Sequence, residues 1–79
     1  MDKAIHSGAQ RVLSGLLRSY REQAGLRQAD VAERLELPQS FVSKYESGER
    51  RLDLIELRQV CQALGVSLGE FVATFERTS

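Results

Sequence analysis

The chain has 79 residues, 42% apolar and 28% charged, the balance of one small soluble domain whose single core supplies only modest stability. No apolar run approaches the roughly 18–20 residues of a membrane span, no signal-peptide core stands at the N-terminus, and the single Cys61 excludes an internal disulfide, so a cytoplasmic protein is expected. Eleven basic and eleven acidic residues cancel, which counts against a nucleic-acid partner, but residues 1–51 hold nine Lys/Arg against seven Asp/Glu while 52–79 hold two against four, so the front is mildly basic.

Residues 1–6 are weakly patterned and 1–7 are expected to be a flexible end, with His6 lacking ligand partners; residues 8–79 form one domain. Nothing alternates with the period of a strand. A first helix is predicted over about 8–24, where Val12, Leu13, Leu16, Leu17, Tyr20 and Ala24 make one stripe between a Ser7-Gly8-Ala9-Gln10 capping box and a stop at Gly25. A second fits 28–35, with Val31, Ala32 and Leu35 inward and Asp30 near its positive end. Leu37-Pro38 ends it and starts a third over 39–47, stopped by Gly48. Asp53-Leu54-Ile55-Glu56 caps a fourth helix with Leu54, Leu57, Val60, Cys61 and Leu64 as its core stripe, and Gly65 ends it. Ser67-Leu68-Gly69-Glu70 opens a fifth, on which Leu68, Phe71, Val72 and Phe75 share a face. The fold class is all-α, a compact five-helix bundle.

The short second and third helices, about 28–47, meet through a tight turn and form a helix-turn-helix, whose second helix can enter the DNA major groove. On that helix Val42 and Tyr45 face inward and Phe41 stands at the margin, leaving Gln39, Ser40, Ser43 and Lys44 outside. Glutamine can pair bidentately with adenine, serine with several base edges, and lysine with guanine or phosphate. Any surface helix is polar, so these residues alone leave DNA reading and simple solvation equally open. Cys61 lies on an apolar stripe and reads as a core thiol. Phe71, Val72 and Phe75 either close the core or form an exposed patch. No Ser/His/Asp or Cys/His set, carboxylate pair, metal-ligand spacing or phosphate loop is present, so no enzyme activity, cofactor or metal is expected.

Residues 25–71, GLRQADVAERLELPQSFVSKYESGERRLDLIELRQVCQALGVSLGEF, resemble the phage-repressor or Xre-type helix-turn-helix family. The likeness rests on Gln28 and Ala32, Val42 and Glu46, Ser47-Gly48 and the Ala63-Leu64-Gly65-Val66-Ser67 corner; with Arg21 it covers about 20–72. It implies a lambda-repressor-like domain with base contacts from Gln39, Ser40, Ser43 and Lys44, and phosphate contacts from Gln28, Arg50 and Arg51. It also implies an Arg21–Glu46 ion pair tying the first helix to the third. Arg27 departs from the family's hydroxyl or amide cap, losing a capping bond but placing a cation near the phosphate track. Pro38 replaces a polar cap, and Phe41, large where the family is small, is assigned to a thymine methyl or sugar.

A sequence-specific transcriptional regulator is therefore expected, a repressor in the first instance, reading double-stranded DNA at a palindromic operator. One half-site would hold so short a chain weakly, so a homodimer is expected through Phe71, Val72 and Phe75 of the fifth helix and the edge of the fourth. No membrane or small-molecule partner is implied. The alternative is a protein-interaction module, antitoxin-like, on the same fold.

Overall fold

The core gathers side chains from all five helices: Leu17, Val31, Ala32, Val42, Tyr45, Val60, Cys61, Ala63, Leu64 and Phe71, with Val66 from the last corner. The computed structural model describes residues 8–78. In order they form α1 (Gly8–Gln23), α2 (Gln28–Leu35), α3 (Gln39–Ser47), α4 (Leu54–Leu64) and α5 (Leu68–Thr78), with no strand among the described residues. The predicted spans hold for α2 and α3, and α1 stops one residue short of expectation. The proposed Ser7 cap and His6 lie outside the described residues. α2 and α3 pack on each other, α1 backs α3 and α5, and α4 bridges α2 and α5.

Three helices end in the same hydrogen-bonded motif, in which two backbone N–H groups past the end fold back on the last-turn carbonyls. At α1, Leu26 N–H donates to Arg21 O (3.1 Å) and Gly25 N–H to Glu22 O (3.0 Å). At α4, Val66 N–H reaches Cys61 O (3.0 Å) and Gly65 N–H reaches Gln62 O (3.2 Å). At α2 the same bonds run from Leu37 to Ala32 (3.0 Å) and Glu36 to Glu33 (3.1 Å). There the left-handed position is held by Glu36, at φ 59°, the one described non-glycine residue with positive φ. The bend between α2 and α3 is thus enforced on an unfavourable side chain.

Helix starts follow the sequence more closely. Asp53 accepts from Glu56 N–H (2.7 Å) while Glu56 accepts from Asp53 N–H (2.9 Å), the predicted reciprocal cap of α4. Ser67 Oγ accepts from Glu70 N–H (3.0 Å) at α5.

Two expectations about apolar faces are corrected. Leu54, assigned to the core stripe, is 64% exposed beside Ile55 at 54%. Phe71, assigned to the dimer interface, is 1% exposed and packs on Tyr20 with ring centroids 5.5 Å apart. The Tyr20 hydroxyl meets Thr74 Oγ1 at 3.0 Å, so α5 closes the core against α1 along this side. Phe75 is half-buried, and only Val72 of the three stands on the surface, at 37%.

Candidate nucleic-acid interface

α3 is seated by two side chains one turn apart, Val42 at 0% and Tyr45 at 1% exposure. Burial pushes the Tyr45 hydroxyl well above its ordinary pKa, so it stays neutral. Pro38, extended at φ −63° and ψ 151°, starts the helix without a side-chain cap. Gly48 ends it at φ 87°, where only glycine rests without strain, and Arg50 N–H folds back to Lys44 O at 3.1 Å. Gln39, Ser40, Ser43 and Lys44 are all exposed. Placing them on a helix whose other side is anchored gives a polar reading surface of fixed orientation.

That orientation is set by a network beneath the helix. Arg21 clamps Glu46 through two bonds, Nε to Oε2 at 2.7 Å and Nη2 to Oε1 at 3.1 Å, and Nη1 caps the Leu26 carbonyl at 2.9 Å. The two side chains are only 12% and 4% exposed, and the bond to Glu46 raises the Arg21 pKa further. Gln28 Nε2 donates to Glu46 Oε1 at 3.0 Å, and Gln39 Nε2 reaches Gln28 Oε1 at 3.4 Å. Gln28, expected to meet phosphate, therefore spends its amide nitrogen on Glu46 and its oxygen on Gln39. It links the α1–α3 clamp to the first residue of the reading surface.

The basic residues divide into committed and free. Arg27 turns its guanidinium on Asp30, Nη2 to Oδ1 at 2.9 Å and Nε to Oδ2 at 3.2 Å, while its backbone N–H donates to Oδ2 at 2.8 Å. The expected loss of the side-chain cap holds, since a guanidinium has no acceptor for the first-turn N–H groups of α2; Asp30 supplies only the reciprocal bond, accepting from the Arg27 N–H. The Arg27 guanidinium and backbone hold Asp30 down to a pKa of about 2.

Arg50, expected on phosphate, instead forks onto Glu56, with Nη2 to Oε2 at 2.9 Å and Nη1 to Oε1 at 3.2 Å. Its guanidinium carbon lies 4.6 Å from the Phe41 ring centroid. Phe41, expected on a base or sugar, is half-buried against the core, edge-to-face with Tyr45 at 5.6 Å and covered by Arg50. Lys44 and Arg51 are exposed, and their side chains make no hydrogen bond or ion pair to any described residue. Sequence reasoning missed the Arg50–Glu56 pair because the carboxylate was already assigned to the α4 cap. The six-residue spacing from an arginine was the available signal.

Two short helices joined by a sharp turn, the second presented outward over a buried clamp, define a helix-turn-helix domain. The sequence profile of the helix-turn-helix family matches residues 17–71, and the chain belongs to that family, in its Xre-type branch. An XRE-family like protein from Pseudomonas syringae pv. tomato str. DC3000 is similar in structure at a TM-score of 0.88 and 40% identity, over 99% of this chain and 95% of that one. The control protein C.MunI of Mycoplasma sp. is 28% identical over 57 residues, 72% of this chain and 77% of its own. A point mutant of the restriction-modification controller protein C.Esp1396I superposes at a TM-score of 0.84 with 25% identity, covering 91% of each chain. Among the described residues no helix is long and apolar enough to cross a membrane.

Proposed function

We propose that this protein is a sequence-specific DNA-binding transcription regulator that reads the major groove with α3. The observation that carries the reading is the union of a clamped helix and an unspent polar face: Gln39, Ser40, Ser43 and Lys44 stand exposed over the Arg21–Glu46–Gln28 network. Gln39, Ser40 and Ser43 suit base edges, and Lys44 suits guanine or phosphate. Arg51, exposed in the loop after α3, is the backbone-contacting cation, with Arg27 at the start of α2 the weaker candidate because Asp30 already neutralises it. Two copies related by a two-fold axis would place their reading helices about 10–10.5 bp apart. Among the described residues the exposed large apolar side chains are Leu37 in the turn before α3, and Leu54, Ile55 and Val72, of which the last three are proposed for such a dimer. Regulation by promoter occlusion, as a repressor, is the mode proposed.

Selection from a random DNA pool, followed by band-shift titration, tests the reading. A palindromic consensus, bound in a salt-sensitive way, is the expected result; no salt-sensitive binding to any sequence would refute it. Gln39→Ala should relax preference at defined positions of that consensus, whereas Arg51→Gln should weaken every sequence alike. The exposed Leu54 and Ile55 also favour a second reading, a partner-binding module. A stoichiometric protein complex formed by a chain that binds no DNA would decide for it.

A further inference from the structure

We propose that Arg50 is a positioning residue for the reading helix and not a phosphate contact, locking α3 to the start of α4 through Phe41 and Glu56. The inference rests on the DNA-reading role of α3 given above. Residue 50 touches α3 twice and α4 once. Its backbone N–H holds the Lys44 carbonyl in the last turn of α3 (3.1 Å), and its guanidinium lies 4.6 Å from the centroid of Phe41 in the first turn. The edge of the same guanidinium forks onto both oxygens of Glu56, and Nη1 also reaches the Arg51 carbonyl at 3.0 Å.

A guanidinium can do this because it is planar: its face covers a ring while its edge matches a carboxylate, which an ammonium group cannot imitate. Phe41 passes the contact inward to Tyr45, the buried anchor of α3. Glu56 passes it to the Asp53 N–H, so the fork is built into the cap of α4. The resulting line, Glu56–Arg50–Phe41–Tyr45, braces the side of α3 away from the Arg21–Glu46 clamp. Turning Arg50 toward a phosphate would open this line and leave the Glu56 carboxylate bare near a polyanion.

Binding to the selected operator, measured across a salt series, separates brace from contact. Arg50→Gln, Arg50→Lys and Glu56→Gln are each expected to weaken binding roughly three- to tenfold. The slope of log affinity against log salt should stay that of the wild type. Glutamine at position 56 can still accept from Asp53 N–H, so this variant removes the fork and spares the cap. The Arg50→Gln/Glu56→Gln double variant should bind no worse than either single one. A phosphate contact gives the opposite pattern, and any part of it overturns the proposal. In that case Arg50→Lys restores wild-type affinity, Arg50→Gln lowers the slope by about 0.9, and Glu56→Gln binds as tightly as the wild type or more so. Circular dichroism confirms that each variant is folded; if Arg50→Gln is not, Arg50→Lys and Glu56→Gln carry the comparison. Failure of the wild type to bind any DNA removes the reading beneath the proposal, and this shows before any variant is made.

Discussion

Replacing Arg21 with methionine removes the guanidinium that holds Glu46 while keeping most of the apolar stem. Glu46 is then left with the Gln28 amide as its sole side-chain donor, in a site where its own side chain is 4% exposed. Breaking one side of a buried ion pair costs about 3–5 kcal/mol, because the orphaned charge keeps its desolvation penalty. The surviving Gln28 bond argues for the lower end, about 3 kcal/mol. A domain of 79 residues has a total stability of roughly 4–12 kcal/mol, so the loss is a large share. At about 4–8 °C per kcal/mol for a chain of this size, the thermal midpoint should fall by roughly 12–24 °C. Thermal unfolding followed by circular dichroism reads this directly. Arg21→Met/Glu46→Leu removes both charges and should recover most of the loss, since no buried charge remains unpaired. A single-variant loss below about 1 kcal/mol, or a double variant as unstable as the sum of the single ones, refutes the buried-clamp reasoning.

Glu36→Gly should stabilise the fold by about 0.5–1 kcal/mol: relief of the left-handed strain at φ 59° outweighs the extra freedom glycine gains when unfolded. A lowered thermal midpoint would show that Glu36 makes a compensating contact. Asp30 has its folded pKa depressed from 3.8 to about 2, so its contribution is complete above about pH 4 and is lost as pH falls toward 2. The midpoint of the wild type should therefore drop more steeply over that window than that of Asp30→Asn; parallel curves would exclude the Arg27–Asp30 linkage.

Helix ends were legible because backbone chemistry writes them locally. Gly25, Gly48 and Gly65 sit at left-handed positions, and Asp53 and Ser67 accept the N–H groups their spacing promised. Glu36 escaped notice because nothing in its side chain announces a positive φ; the neighbouring bonds from Leu37 and Glu36 impose it. Leu54 illustrates a different limit. Periodicity fixes the angle of a side chain around its helix axis, but not how far the neighbouring element extends. Leu54 shares the angle of Leu57 and Cys61, yet it overhangs the end where nothing covers it. Phe71 and Val72 were grouped on one face in sequence terms, yet Phe71 joins the core, with Tyr20 against its ring, while Val72 stays on the surface.

Charge was the least legible property, and it bears most directly on function. Residues 21–51 carry six cations, and four are spent inside the domain. Arg21 holds Glu46, Arg27 holds Asp30 and Arg50 holds Glu56, while Arg34 donates to the Ala63 carbonyl at 2.8 Å. Lys44 and Arg51 remain, both on α3 or the loop that follows it. A total near zero thus coexists with two uncommitted cations where the reading helix presents its polar face. Counterion release scales with the phosphates neutralised, at about 0.9 in the salt slope for each. With two cations free, the slope should be about 2 for each protomer on its half-site, rising to about 4 for a dimer. A slope near 4 per protomer would mean that Arg27 and Arg50 also reach the backbone, at the expense of Asp30 and Glu56. With a slope near 2, binding would draw much of its strength from base contacts and dimerisation, which would make the position of Gln39 over its hydrogen-bonded support more consequential than the sum of charges.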